Sequence, residues 1–201
     1  MYVLLGNGPW MAWNAFLALI PLGFAVFLFT GPRRAHHRPL WWLGVVVFFA
    51  FLPNGPYVIT DLIHLKHDAL GLRGNEAANF MLAFQYAAFI AVGLAAYAGS
   101  LELLRRYVLS RGWTRSRAFV LELALHAMCS VGVLLGRFAR FNSWELGTRP
   151  DDIVGHAVSR FDRPASWLLL FTTFGVITAA TCFLRFTATG FVGLWHGARR
   201  D

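Results

Sequence analysis

The chain has 201 residues, of which 57% are hydrophobic and 14% are charged, and it carries a net charge of +8. Soluble domains contain about 25% charged residues, and the apolar residues here form long blocks, which argues against a soluble globular protein. The basic residues are nearly all arginines at the ends of these blocks, so membrane orientation explains the charge and no nucleic-acid partner is expected.

The composition predicts an all-α integral membrane protein that forms a single transmembrane domain. About five transmembrane helices are predicted, over residues 10–30, 39–60, 77–104, 118–136 and 165–184. Two short interfacial helices are predicted: one over residues 61–68, where Thr60 can cap a new helix, and one over residues 151–161, where apolar residues recur at helical spacing.

The second span contains a Pro-Asn-Gly-Pro interruption at Pro53–Pro56. The apolar stretch before it, Pro39 to Leu52, gives about 21 Å of helix, which is shorter than a hydrocarbon core of about 30 Å. We therefore predict that the helix is broken at Pro53–Pro56 in the outer half of the bilayer, and that Tyr57 to Thr60 completes the crossing. Non-helical backbone at that depth requires cover by protein or by a watery cavity.

The arginine distribution predicts the orientation of the chain. The loops after the first and third spans, together with the C-terminal end, hold most of the 18 Lys and Arg residues. By the positive-inside rule, the N-terminus lies outside and the C-terminus lies in the cytoplasm. The expected location is the bacterial cytoplasmic membrane, with the lipid bilayer as the surrounding partner.

The first outward-facing segment carries polar residues at helical spacing. Asp61, His64 and Asp68 share one face of a helical wheel, and His67 lies beside them. Carboxylate and imidazole groups suit a divalent metal such as zinc, iron or manganese, and they also suit acid–base chemistry. The alternative interpretation is an interfacial helix with a solvated polar face.

The second outward-facing segment carries Arg137 and Arg140 one turn apart. Paired guanidinium groups suit phosphate or carboxylate, although snorkelling to lipid headgroups or structural pairing with Asp61 and Glu145 would also explain them. We expect the two segments to meet in one outward-facing polar pocket. Its candidate residues are Asn54, Tyr57, Asp61, His64, Arg137, Arg140, Asn142, Trp144 and Glu145.

A third group of polar residues lies inside the fourth span. Glu122, His126 and Cys129 share one face of that helix, and ionisable residues within a membrane are functional candidates. The alternative is a hydrogen-bonded bundle interior, with a neutral His126 bonded to a neighbour such as Asn14 or Gln85, and with Glu122 in the headgroup region.

The two outward segments resemble an uncharacterised bacterial membrane-protein family, known as domain of unknown function 1361. Its members carry a Pro-Asn-x-Pro-Tyr-x-x-Thr-Asp-Leu-x-His-Leu run, which Pro53 to Leu65 matches nearly throughout. They also carry a Gly-Arg-Phe-x-Arg-x-Asn-Ser-Trp-Asp run, which Gly136 to Glu145 matches except that Glu145 stands where Asp is usual. The resemblance implies a multi-pass membrane fold and no established activity.

Three functions are consistent with these patterns. The first is a protein that binds or transports an anionic group or a lipid headgroup in the outward-facing pocket. The second is a membrane-embedded enzyme, perhaps using a metal, that acts on a lipid or lipid-linked substrate. The third is an accessory subunit of a membrane complex. The sequence does not identify catalytic residues, the substrate or the oligomeric state.

Overall fold

The protein is helical throughout the part of the chain that the structure describes, with no strand in that part. The computed structural model describes residues 2–31, 39–72, 74–139 and 164–197, and also 148, 151 and 155. Side chains are described within 6–31, 39–72, 74–136 and 164–187, and at those three single positions. The predicted interfacial helix over residues 151–161 lies almost entirely outside the described residues.

The helices follow one another in a simple order. They are α1 (Tyr2–Phe29), α2 (Pro39–Phe51), α3 (Asn54–Tyr57), a 3-10 helix (Val58–Asp61), α4 (Leu62–Gly71), α5 (Glu76–Ser110), α6 (Arg115–Ala139) and α7 (Pro164–Gly197). Five stretches are long and apolar enough to cross a membrane: Gly6–Phe29, Pro39–Gly71, Glu76–Ser110, Arg115–Gly136 and Pro164–Thr187. The predicted all-α membrane fold with about five spans is confirmed.

The helices continue beyond the apolar blocks from which the spans were predicted. The helix α5 ends at Ser110 rather than near residue 104, and α7 continues to Gly197 rather than ending near residue 184. Charged and polar residues that lie in the headgroup region retain good helix propensity, so the end of hydrophobicity does not end the helix. This difference places Arg185 inside a helix rather than in a tail.

The second span follows a helical path with two interruptions in its hydrogen-bond pattern. Two turn residues, Leu52 and Pro53, separate α2 from α3, and the 3-10 helix separates α3 from α4. The backbone angles at Pro53 and Tyr57 remain right-handed helical. Here the Gly55 N–H donates three residues back, to the Leu52 carbonyl at 3.3 Å, and the Asn54 side chain donates to the Phe51 carbonyl at 2.9 Å.

Neighbouring spans run in opposite directions, and α1 lies parallel to α5. Trp41 at the start of α2 donates to the Leu28 carbonyl at the end of α1, at 3.2 Å. The Trp41 ring also lies 6.1 Å from the ring of Tyr107 near the end of α5. The α1–α2 and α5–α6 connections therefore lie at the same end of the bundle, which we call the arginine-loop end. The opposite end, where α4 meets the beginnings of α1 and α5, we call the motif end.

Three glycines allow the Pro53–Pro56 segment to pack closely inside the bundle. A Cβ on Gly55 would lie 2.8 Å from the Tyr97 Cβ, and one on Gly93 would lie 2.5 Å from the Val58 Cγ2. A Cβ on Gly132 would lie 2.8 Å from Pro53 carbons. Small residues let helix backbones approach closely in membranes. The interruption is thus covered by α5 and α6, against the middle of α5.

The outer surface of the bundle is apolar, as expected of a surface that faces lipid. Phe80, Phe84 and Phe186 have 75%, 69% and 78% of their surface exposed. A soluble protein rarely leaves so many large apolar side chains open to water, so this surface agrees with the membrane fold.

Candidate functional site

The residues of the first segment, Pro53 to Leu65, differ widely in exposure. Asp61 is buried, with 4% of its surface exposed, whereas His64 is exposed and Asn54 and Tyr57 are half-buried. The structure therefore places a carboxylate in the bundle interior and an imidazole on its surface within one helical turn. Transfer of a carboxylate from water to such an interior is costly unless the group is paired or protonated.

Asp68 is the centre of a polar cluster at the motif end. Its Oδ2 accepts hydrogen bonds from Asn7 Nδ2 at 2.7 Å and from Tyr86 Oη at 2.8 Å. Asn7 in turn accepts from Trp10 Nε1 at 3.2 Å, and the Trp10 ring lies edge-on to His64 with 5.9 Å between centroids. The carboxylate of α4 thereby joins α1 to α5.

The residues suggested as metal ligands do not converge on one point. Among the described residues, no three His, Cys, Asp or Glu side chains are placed to hold a metal ion. Asp68 is held by Asn7 and Tyr86, while the side chain of His67 is 91% exposed. The shared helical face drawn from the sequence therefore does not give a common site for Asp61, His64, His67 and Asp68, and we assign no metal role to them.

Only the beginning of the second segment belongs to the described part of the chain. Arg137 lies in the last turn of α6, with its backbone described. Arg140, Asn142, Trp144 and Glu145 lie outside the described residues. The pocket expected between the two segments thus stays a prediction at the level of side chains.

A second polar cluster, which we call the inner cluster, joins α5, α6 and α7. Glu122 is buried, with 6% of its surface exposed, and its Oε1 accepts from Arg185 Nη2 at 2.7 Å. Arg185 Nε also lies 3.6 Å from Glu102 Oε2, and Glu102 accepts from Arg106 at 2.8 Å. Glu122 therefore takes part in a buried ion pair between helices.

The inner cluster continues through His126 towards the Pro53–Pro56 segment. His126 is 1% exposed, its Nε2 lies 3.9 Å from Glu122 Oε1, and its Nδ1 lies 2.7 Å from Tyr97 Oη. The partner of His126 is thus Tyr97, and Asn14 instead donates to the Trp10 carbonyl of its own helix. Tyr97 also packs against Gly55, so the inner cluster and the first segment share a residue.

Three members of the inner cluster were not singled out from the sequence. Glu102 and Arg185 each interrupt an apolar run as a lone charge, which was the available signal. Glu102 lay near the predicted end of the third span, and Arg185 immediately followed the predicted fifth span. Tyr97 gave no signal of its own, because a tyrosine inside an apolar block is ordinary core composition.

An apolar groove runs along α4, α5 and α7 on the outer surface. Its volume is about 480 Å³, and its lining residues include Leu62, Ile90, Leu94, Ala180 and Phe183. Such a groove in a membrane protein is a contact surface for lipid chains. It offers no polar group for chemistry beyond the Tyr86 hydroxyl, which already donates to Asp68.

The fold and the two polar clusters define a helical, multi-pass membrane protein with ionisable groups buried between its spans. The chain belongs to the family described as "Protein of unknown function (DUF1361)", whose model matches residues 13–179. The resemblance drawn from the two sequence runs is thereby confirmed. No curated protein and no solved structure matches the chain.

Proposed function

We propose that this protein binds an anionic group, with the chemistry of a phosphate, at the motif end of the bundle. The binding residues would be Asn54, Tyr57 and His64 from the first segment, and Arg137, Arg140 and Asn142 from the second. Guanidinium forks match phosphate oxygens in pairs, and amide, hydroxyl and imidazole groups add further donors.

The observation that carries this proposal is the contact between Gly132 and Pro53. A Cβ on Gly132 would lie 2.8 Å from Pro53 carbons, and from this point α6 and the α3–α4 segment run in the same direction. Arg137 follows Gly132 by about 7.5 Å of helix, and Asp61 follows Pro53 by about 12 Å, at about 1.5 Å per residue. The two motifs therefore begin side by side and are directed to the same end.

Asp61 has a positioning role in this proposal. A buried carboxylate stabilises a neighbouring guanidinium and fixes its orientation. We assign Asp61 to one of the two arginines, so that the other fork stays available for the ligand. The half-buried Tyr57 and the exposed His64 would contact the ligand from the opposite wall.

We further infer that the motif end faces outward and that the chain lies with its N-terminus outside. The support is the arginine bias of the opposite end, which carries Arg105, Arg106, Arg111, Arg115 and Arg117. The interruption at Pro53–Pro56 would form the floor of the site, because it packs against Gly93 and Gly132 rather than against lipid.

Ligand-induced stabilisation tests this function. The purified protein would be reconstituted in nanodiscs of neutral lipid, and its unfolding temperature measured with added phosphatidylglycerol or, separately, with inorganic phosphate. A ligand that binds the folded state raises the unfolding temperature. We expect stabilisation by phosphatidylglycerol if the natural ligand is a lipid headgroup, and by phosphate as well if it is a free anion.

The matched variants are Arg137→Ala and Arg117→Ala, which remove one arginine from opposite ends of the same helix. Stabilisation should be lost in Arg137→Ala and kept in Arg117→Ala, whose side chain is exposed at the arginine-loop end. If neither ligand stabilises the wild-type protein, or if both variants lose the effect equally, the anion site does not exist.

A further inference from the structure

One oxygen of Glu122 is shared by two basic side chains. Its Oε1 lies 2.7 Å from Arg185 Nη2 and 3.9 Å from His126 Nε2. The Glu122 side chain is 8% exposed and that of His126 is 2% exposed. The other oxygen, Oε2, is buried without a hydrogen-bond partner among the described residues. This carboxylate is therefore desolvated, with spare capacity to accept a proton or a donor.

We propose that Glu122, His126 and Arg185 form a buried proton-binding site, in which a proton taken up by His126 competes with Arg185 for Glu122. The ligand of this site is a proton, and the site is distinct from the anion site at the motif end. Its existence does not depend on the function proposed for that end.

The competition follows from the charges that face the site. One carboxylate neutralises one cation, and charges that are poorly solvated interact much more strongly than charges in water. Protonated His126 and Arg185 cannot both be fully compensated by Glu122. Among the residues that the structure describes, the other ionisable groups that face the site are Tyr97, Glu102 and Arg105 on α5, Cys129 on α6, and Cys182 on α7.

Glu102 lowers the cost of separating Arg185 from Glu122, because it is a second carboxylate with which Arg185 can pair. Arg185 Nε lies 3.6 Å from Glu102 Oε2, and both side chains are about one-third exposed, at 30% and 29%. When Glu122 turns to protonated His126, Arg185 remains paired with Glu102. Proton uptake therefore breaks the ion pair between α6 and α7 and leaves the existing pair between α5 and α7.

Uptake of one proton balances without any further reactant. We assign to the neutral ring the tautomer in which Nδ1–H donates to Tyr97 Oη, 2.7 Å away, and the Nε2 lone pair faces Glu122. The added proton binds to Nε2 and produces an imidazolium that donates from both nitrogens.

A route for the proton begins at the arginine-loop end. A small cavity of about 10 Å³ lies between α5 and α6, and Arg105 and Glu122 are its only charged lining residues among the described part of the chain. A space of this size holds about one water molecule. A water in that space would pass a proton from the side of Arg105 to Glu122 and then to His126.

Histidine ¹⁵N NMR of the full-length protein in nanodiscs tests this proposal. The signal of His126, one of 7 histidines, would be identified by its loss in His126→Gln and followed between about pH 5 and pH 8, the range in which histidine normally titrates. We expect a reversible change from a single neutral tautomer to the imidazolium. A His126 that keeps one neutral tautomer across this range in the wild-type protein overturns the proposal, whatever the variants do.

Two variants give opposite expectations. Removal of the competing cation in Arg185→Gln should move the His126 midpoint to higher pH by at least about one unit, a tenfold rise in proton affinity. Removal of the carboxylate in Glu122→Gln should move it to lower pH by a similar amount. The control is Arg106→Gln, whose side chain is 72% exposed and which should leave the midpoint nearly unchanged. Equal shifts in Arg185→Gln and Arg106→Gln would show a general charge effect and overturn the site.

Discussion

Arg185 on α7 and Glu122 on α6 form an ion pair between two spans, with 2.7 Å between Nη2 and Oε1. The pair joins α7 to α6 within stretches of both helices that are otherwise apolar. Glu122 is nearly enclosed, while the Arg185 side chain keeps 30% of its surface exposed. The pair is thus intermediate between a buried and a surface salt bridge.

We expect removal of one partner of this pair to cost more than removal of both. Fully buried pairs lose about 3–5 kcal/mol when one partner is removed, and partial exposure of Arg185 lowers this to about 2 kcal/mol for Glu122→Leu or Arg185→Leu. The double variant should therefore be destabilised by less than either single variant. The free energy of unfolding in mixed micelles measures this, and strict additivity would show that the pair contributes nothing.

Close packing at Gly93 gives a second expectation. A Cβ there would lie 2.5 Å from Val58 Cγ2 and 2.9 Å from the Gly55 carbonyl oxygen, and the backbone oxygen cannot move aside cheaply. We expect Gly93→Ala to destabilise the protein by about 1–3 kcal/mol. Gly175→Ala is the control, since nothing lies within 4 Å of a Cβ at that position and the added methyl group favours the helix by about 0.5–1 kcal/mol. Equal effects of the two substitutions would refute the close contact.

The hydrogen bonds of Asp68 predict a local effect at the motif end. Asp68→Ala removes the acceptor for Asn7 and Tyr86, which donate at 2.7 and 2.8 Å, and should cost about 2 kcal/mol. Because α4 would be held less firmly, its amide hydrogens should exchange at least about tenfold faster. Lys66→Ala, at an exposed side chain of the same helix, should leave exchange unchanged. Unaltered protection of α4 in Asp68→Ala would mean that other contacts hold this helix.

The accessibility of introduced thiols tests the orientation of the chain in the membrane. Single cysteines at the two ends of α5, Glu76→Cys and Ser110→Cys, would be introduced after Cys129 and Cys182 are replaced by alanine. A membrane-impermeant maleimide should label position 76 in intact cells, and position 110 only after permeabilisation, because the arginine-loop end is expected in the cytoplasm. Labelling of position 110 from outside would reverse the orientation.

The sequence predicted the membrane fold well because each span is a long apolar block. The ends of the helices were missed, since α7 extends past the apolar block to Gly197 and hydropathy does not record where hydrogen bonding stops. Because the predicted fifth span ended at residue 184, Arg185 was not considered as a residue within a span. Its partner Glu122 was found, because a lone carboxylate within a span is a strong signal.

The candidate site was predicted less well, for a geometric reason. The helical wheel placed Asp61, His64 and Asp68 on one face, but a wheel does not record where along that face other helices pack. Asp61 is buried by its neighbours while His64, one turn further along the chain, is exposed. The close packing of Gly55 and Gly93 could not be read from one sequence either, because it depends on which helices become neighbours.

The most direct measurement is a double-mutant cycle between Asp61 and Arg137. The unfolding free energies of the wild type, Asp61→Asn, Arg137→Gln and the double variant would be compared in the same nanodiscs. If the two motifs form one site, we expect a coupling free energy of about 1 kcal/mol or more, as for residues in one polar network. Effects that add to within about 0.5 kcal/mol, as for residues more than about 10 Å apart, would contradict a shared site.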